Sequence, residues 1–430
     1  MNPQAEELNK IIQIKNQAVY EMLSEKGKNI FFPKKGILGQ TADAKGTKIN
    51  ATIGTAVEDD NSPMRLEAIA SKIGLDPSLI FPYAPSFGRP DIRAKWRSMM
   101  FDKNPSLKGK IISLPVVTNA LTHGASMAGY LFLDPGDEVI TSSLFWGNYN
   151  LILNHAYGSK IGQFNTFKNG GFDLDAFKAK LNEGTIGKKV VNLNFPNNPS
   201  GYTPTIAEYN GIVQIIKEAA DAGNKIVVMT DDAYFGLVFE EGIATESLFS
   251  ALADLHENVL AVKIDGPTKE DYVWGFRVGF MTYGIKNGDA ELYTALEAKT
   301  AGAVRGNISN AANISQSLLI QAFDNPDYEK QKVEKFEIMK VRYNEVKLVL
   351  HDKKYNTYFE ALPFNSGYFM CVKLVDGIDG EVLRKLLIEK YSIGIINLSN
   401  IIRVAFSAIS AKDIKPLFEG LYAACKEIKG

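Results

Sequence analysis

The chain has 430 residues, 45% of them hydrophobic and 23% charged, which is the composition of an ordinary globular protein with room for one large domain and a smaller one. Lys+Arg 48 against Asp+Glu 49 leaves a formal net charge of −1, which argues against phosphate backbones, and so nucleic acid, as the main partner. Cys371 and Cys425 are too few for a disulfide framework and lack metal-ligand spacing, so no metal is expected. Cys371 sits in the apolar run Tyr368–Val372 and reads as a buried, inert thiol. The opening MNPQAEELNK is polar and acidic, unlike a signal peptide. No stretch approaches the roughly 18 apolar residues of a membrane span, and a reducing cytoplasm is the expected location.

In chain order, residues 1–30 read as an amphipathic helix ending near Gly27, and 49–53 as a short strand closed by Gly54. A helix is expected around 64–73. The Pro- and Gly-punctuated stretch 81–93 reads as a loop entering another helix. Between about 110 and 285, apolar runs at 138–141, 189–194, 225–230 and 259–264 alternate with helical patterns at 124–133, 173–182 and 205–222. That alternation predicts an α/β domain, a mainly parallel sheet between two helical layers, with ligands bound beyond the carboxyl ends of its strands. After 324 comes a charged, Pro-started helical stretch. From 355 to 430, strands 367–374 and 401–406 alternate with helices 380–390 and 411–427, as in a small α+β domain. The expected organisation is a large domain over 76–324, with 1–75 and 325–430 forming the smaller one.

The loops after the strands carry the chemistry. Phe195-Pro196-Asn197-Asn198-Pro199-Ser200-Gly201 follows the second run, and Asp231-Asp232-Ala233-Tyr234 the third. Asp265-Gly266-Pro267-Thr268-Lys269 follows the fourth, and Gly275-Phe276-Arg277-Val278-Gly279 comes next. A lysine on such a turn can form a Schiff base if the site favours its neutral amine over the usual value near ~10.4. Arg277, eight residues on, can hold an anion bidentately. A helix opening at Gly124-Ala125-Ser126 would offer free N–H groups to a phosphate. Asp231 can pair with a ring-nitrogen cation, which makes a pyridine ring an electron sink. Taken singly, each feature has a plainer reading. Asn198–Gly201 is a competent turn, Asp231-Asp232 a helix cap or solvated pair, and Lys269-Glu270-Asp271 surface charge. Trp146 and Tyr234 alone would be core aromatics.

Together, and in this order, the loops resemble those of fold-type I, class I aminotransferases that depend on pyridoxal 5′-phosphate (PLP), over about Ile49 to Ser407. The resemblance implies the cofactor held on Lys269 as a Schiff base, its phosphate on Arg277, and Gly279 next in the pattern. It implies Asn198 and Tyr234 donating to the ring 3′-oxygen, and Asp231 pairing with the pyridine nitrogen. Ala125 and Ser126 fall on the phosphate loop, Thr268 keeps one hydroxyl before the lysine, and Trp146 falls on the aromatic stacked against the ring. Arg403 falls on the arginine that clamps the substrate α-carboxylate. Tyr83 falls on a tyrosine reaching the partner subunit's phosphate, which implies a homodimer with shared sites. The segments Lys48–Gly54 and Val304–Asn310 resemble the aspartate and aromatic branch. There Gly54 lies on the substrate side, and Arg305 reaches across the dimer to a distal carboxylate. Arg305 reads equally as a structural ion pair. One position departs from the pattern: Gly266 stands where the family usually has a phosphate-binding serine.

The activity implied is amino transfer between an L-amino acid, acidic or aromatic side chains favoured, and a 2-oxo acid. β-Elimination or decarboxylation on the same cofactor is the nearest alternative, since the same lysine base serves all three. A non-catalytic cofactor-binding module is the alternative from another class. No G-x-G-x-x-G follows a strand and no G-x-x-x-x-G-K-[ST] occurs, which disfavours nicotinamide and nucleotide chemistry.

Overall fold

Near-continuous apolar runs become strands buried on both faces. The computed structural model describes residues 1–15, 23, 28–29, 37–60, 62–71 and 74–429. In chain order the main elements are α1 (Pro3–Lys15), α2 (Ile37–Asp43), β1 (Ile49–Asn50), α3 (Pro90–Lys103), β2 (Val116–Thr118) and α4 (Ala120–Phe132). Then come β3 (Glu138–Ser142), β4 (Lys160–Phe164), α5 (Leu174–Leu181), β5 (Lys188–Asn194), α6 (Ile206–Asp221), β6 (Lys225–Asp231), β7 (Val259–Asp265) and β8 (Gly279–Gly284). The chain continues through α7 (Ala290–Ile308), α8 (Tyr328–Leu350), β9 (Phe359–Ala361), β10 (Phe369–Leu374) and α9 (Gly380–Leu386). It ends with β11 (Ile393–Gly394), β12 (Ile396–Leu398), β13 (Ile401–Ala405) and α10 (Ala411–Lys429).

Seven strands form the central sheet in the order β2-β8-β7-β6-β5-β3-β4. The neighbours from β4 to β7 pair in parallel, and β8 runs antiparallel between β7 and β2. The expected mainly parallel α/β sheet is therefore present. Its helices pack along it, α4 on β7 and β8 and α6 on β6 and β7. Thr205 caps α6 through a reciprocal pair with Glu208, so that helix starts where its first orphan N–H groups find acceptors. Register places Asn194 beside Asp231 and Asp231 beside Ile264, so three strand ends meet on one edge.

A second, antiparallel sheet, β9-β10-β13-β12, is built from the tail, and β1 pairs with β11 beside it. The expected strand 49–53 keeps only two paired residues. Beyond them Ala51 bridges two partners, its N–H donating to Gly394 O at 2.9 Å while its carbonyl accepts from Ala405 N at 2.9 Å. Chain 52–54 is thereby aimed at the carboxyl edge of the large sheet.

The N-terminal helix is described over Pro3–Lys15, and its expected end near Gly27 lies outside the described residues; of the helix expected around 64–73 only the single helical turn Glu67–Ala70 is present among the described residues, with 72–73 outside them. More consequentially, α4 begins at Ala120, four residues before the expected start. Ala120 adopts a left-handed φ of 64°, which turns the chain sharply from β2 into the helix.

Candidate active site

A cavity of about 300 Å³ opens where the strand ends of the large sheet meet chain 52–54, α2 and β10. Its lining includes Asn198, Asp231, Tyr234, Lys269, Trp146, Gly54 and Arg403, so seven of the expected site residues converge. They arrive from segments between Gly54 and Arg403, most of them at or after a strand end, with Arg403 inside β13.

Lys269 is half-buried, with its Nζ 5.0 Å from the centre of the Tyr234 ring. Burial lowers its amine pKa to about 8; Asp231 opposes that shift and Arg277 adds to it. Burial therefore shifts the balance toward the neutral amine that a nucleophile and proton acceptor needs. The lysine backbone is held as well, because Tyr368 Oη donates to Lys269 O at 2.7 Å.

Asp231 is 4% exposed. Its Oδ2 accepts from Tyr149 Oη at 2.5 Å and its Oδ1 from Ala233 N at 3.1 Å. Burial pushes its pKa up, while the Tyr149 hydroxyl and the Lys269 cation pull it down. Tyr234 is also buried, and burial raises its hydroxyl pKa against the opposing pull of Arg403 and Asn198, so it stays a neutral donor.

Arg403 is 2% exposed and pairs with no carboxylate among the described residues. Its Nη1 donates to Asn198 Oδ1 at 3.1 Å and its Nη2 to Thr52 O at 2.8 Å, and its Cζ lies 4.3 Å over the Phe369 ring. Its Nε has no partner. A buried guanidinium with no acid beside it, facing a cavity, is an arrangement built for an incoming carboxylate.

Thr268 and Arg277, the two side chains suited to a phosphate, do not themselves line the cavity; they flank the lining residue Lys269 along the chain. Thr268 Oγ1 is buried and unpartnered. Arg277 stands in the left-handed region at φ 54° and, among the described residues, hydrogen-bonds only the Trp274 carbonyl, at 3.1 Å, leaving most of its donors free. A left-handed backbone at a non-glycine residue costs free energy that a functional constraint must outweigh.

The phosphate-loop expectation needs correcting. Ala125 and Ser126 lie in the second turn of α4, where amides already serve the helix, and neither lines the cavity. Ser126 Oγ instead bonds Tyr157 Oη at 3.0 Å. Leu121 and Thr122 line the cavity in their place, in the first turn, where N–H groups lack helical partners. The reading of Lys269-Glu270-Asp271 as surface charge also fails, since Asp271 is fully buried and Glu270 nearly so.

Tyr83 is 90% exposed, and Arg305 is exposed near the end of α7 with its Nη1 on Ser309 Oγ at 3.0 Å. Neither lines the cavity of its own subunit. Several residues of the site escaped sequence reasoning, some in the lining and one, Tyr149, behind it. Tyr149, which holds Asp231, had one faint signal, its place three residues after Trp146. Asn194, at the end of β5, could have been found by extending the strand-end logic by one residue. Ile37, Ile53 and Phe369 form an apolar wall with Thr41 beside them, and of these only Ile53 lies in a segment marked by the family resemblance.

Residues 48–421 match the family described as Aminotransferase class I and II, and the chain belongs to that family. Among curated relatives, it is similar to an aspartate aminotransferase of Rhizobium meliloti, 26% identical over 59% of this chain and 58% of that one. It is also similar to a probable N-acetyl-LL-diaminopimelate aminotransferase of Bacillus subtilis, 26% identical over 64% and 63%. The matched regions thus span only about three-fifths of these relatives' lengths. Among solved structures, an Anaerococcus prevotii aminotransferase superposes with a TM-score of 0.82 at 24% identity over 94% of this chain and 98% of that one. A Pyrococcus horikoshii kynurenine aminotransferase gives 0.78 at 18% over 95% and 98%, which shows the shared fold.

PLP is the cofactor this membership implies, and the residues present fit it. The unpartnered Thr268 hydroxyl, the free Arg277 donors and the first turn of α4 suit its phosphate. The deep Asp231 carboxylate suits its ring nitrogen, and the depressed Lys269 amine its aldehyde.

Proposed function

We propose that the protein is a PLP-dependent aminotransferase that moves an amino group between an L-amino acid and a 2-oxo acid, with Lys269 as the cofactor-bearing lysine. The observation that carries this reading is one cavity holding both a lysine of depressed pKa beside a buried carboxylate and an acid-free buried arginine. The first pair serves the cofactor and the second the substrate.

The cofactor, when bound, supplies an electron sink for the substrate α-carbon. Arg403 binds the substrate carboxylate and so fixes which α-bond stands over the ring, an orientation effect. Lys269, once its amine is free, would accept the α-proton at Nζ and return it two atoms further along, to the carbon beyond the amino nitrogen. Asp231, whose ionised form the Tyr149 donor favours against burial, would hold positive charge at the ring nitrogen. Tyr234 and Asn198 would offer donors to the ring oxygen, and Trp146 would supply an aromatic surface for the ring.

Apolar Ile37, Ile53, Trp146 and Phe369 favour an aromatic or aliphatic substrate side chain over a charged one within a single subunit. Acidic substrates need Arg305 from a partner. We propose a cytoplasmic homodimer in which exposed Tyr83 and Arg305 complete the neighbour's site, with residues 76–324 as the large domain and 1–75 and 325–430 as the small one. Among the described residues no helix is long and apolar enough to cross a membrane, and no cluster suited to a metal occurs.

Borohydride reduction of the cofactor-loaded protein followed by peptide mapping tests the assignment. The label is expected on Lys269 and absent from Lys269→Ala; a label on another lysine refutes it. Half-reactions with aspartate, tyrosine and alanine then decide the substrate class. If aspartate is no better than alanine, Arg305 does not select acidic substrates.

A further inference from the structure

Glu270 and Asp271 directly follow the cofactor lysine, and the reaction described above uses neither. Lys332 of α8 bridges both, with its Nζ 3.1 Å from Glu270 Oε2 and 2.9 Å from Asp271 Oδ1. Lys103 of α3 reaches Glu270 Oε2 from the other side at 2.8 Å. Tyr328, one helical turn before Lys332, donates to Asp271 Oδ1 at 2.7 Å. At the near end of the same turn, Trp96 Nε1 lies 3.1 Å from both Asp265 oxygens. The segment carrying Lys269 is thus pinned by buried polar contacts on each side, and Tyr368 holds the lysine carbonyl between them.

Burying two neighbouring carboxylates is costly, and a buried ion pair adds little stability over apolar packing. What such a pair can supply is one defined geometry. Burial raises the Asp271 pKa, with Lys332 working against the rise; at Glu270, Lys103 and Lys332 overcome burial and hold the carboxyl well below the usual carboxylate range. The same helix reaches the substrate side. Arg342 of α8 donates to Val57 O at 2.6 Å and to Ser407 O at 2.6 Å, holding the chain just beyond cavity-lining Gly54. One helix therefore contacts both the lysine turn and the substrate-side loop.

We propose that Lys332 is a positioning residue for Lys269: by bridging Glu270 and Asp271 from α8, it sets where the lysine amine stands relative to the cofactor and the substrate. The proposal rests on Lys269 being the cofactor lysine. Without Lys332, Asp271 keeps only the Tyr328 hydroxyl and faces Glu270 one residue away. The turn then relaxes by protonation or displacement, and Lys269 moves with it.

The test uses the full chain as wild type, Lys332→Met, Lys332→Arg and Tyr328→Phe, each with and without PLP. In the cofactor-free protein, Lys332→Met should speed amide hydrogen exchange over residues 267–273. In the loaded protein it should lower kcat roughly tenfold or more, with a smaller change in KM, since ångström-scale misplacement costs rate before it costs binding. Lys332→Arg should recover part of both effects. A Lys332→Met protein with a lower Tm but unchanged exchange at 267–273 and unchanged kcat overturns the proposal. If Lys332→Met does not fold, Tyr328→Phe, which removes one donor to Asp271 and no charge, should show the same two effects in weaker form; no change in either overturns it. Borohydride labelling of the wild type separates the layers: a label on another lysine refutes the Lys269 assignment, while a label on Lys269 with unaltered variants refutes only the role of Lys332.

Discussion

Tyr149→Phe removes one oxygen and leaves the ring packed between Phe145 and Trp146. The lost contact is a 2.5 Å hydrogen bond from a fully buried hydroxyl to the buried Asp231 carboxylate. A hydrogen bond to a charged group contributes roughly 1.5–3 kcal/mol, and here it favours only the ionised form. At about 1.36 kcal/mol per unit, the Asp231 pKa should rise by roughly one to two units. The sign follows from the carboxyl's starting point: burial already raises its pKa, Tyr149 opposes that rise, and the variant loses the opposition. Less Asp231 is then ionised at any given pH, so the acid limb of kcat/KM should move to higher pH by about one to two units. The alkaline limb, which Asp231 does not control, should stay in place. The assay is a pH profile of kcat/KM on variant and wild type, paired with a thermal melt and the visible absorbance to confirm folding and cofactor loading. A folded, loaded variant whose acid limb coincides with wild type refutes the role given to Tyr149.

Three further expectations follow from the same geometry. Arg403→Lys keeps the charge but loses the fork that spans Asn198 and the substrate, so KM for the amino donor should rise by roughly tenfold to a hundredfold; an unchanged KM would place the carboxylate elsewhere. Gly266→Ser restores the hydroxyl common in the family, yet a Cβ there meets Val278 O at 2.8 Å and Gly279 Cα at 3.0 Å. It should therefore destabilise the fold by about 1–3 kcal/mol in denaturant titration, and a gain in stability would contradict the packing described for that turn. In the cofactor-free protein, acylation of Lys269 should rise with pH through about 8, because the amine is protonated below that value and neutral above it. Surface lysines should rise only near ~10.4, and a Lys269 profile matching theirs would mean that burial does not depress its pKa.

The large sheet was legible because parallel strands are buried on both faces and must be apolar along their length; 189–194, 225–230 and 259–264 reappear as β5, β6 and β7 within a residue or so. Polar residues directly after such runs stand out, which is how Asn198, Asp231 and Lys269 were found. The start of α4 was missed because Leu121 and Thr122 carry no phosphate-binding signature of their own. Their role comes from backbone N–H groups exposed by the left-handed turn at Ala120, a matter of conformation and not of residue type. Gly201 shows the same limit: a Cβ there would lie 1.8 Å from Phe369 O, a contact between segments 168 residues apart that local sequence cannot display.

By itself, the sequence determined the alternation of elements and the residue types at the strand ends, since both follow from local periodicity and from chemistry that few other residues can perform. Only the tertiary structure decided the environments. Lys269 has a pKa of about 8 because burial strips its solvation, and Arg403 awaits a carboxylate because no acid among the described residues folds up beside it. Glu270 and Asp271 illustrate the difference most sharply. As letters after a lysine they are ordinary surface charge; in the fold they are buried, because α3 and α8 bring Lys103 and Lys332 to meet them. Charge is a property of the residue, but solvation and partners belong to the space around it, and that space is assembled from distant parts of the chain.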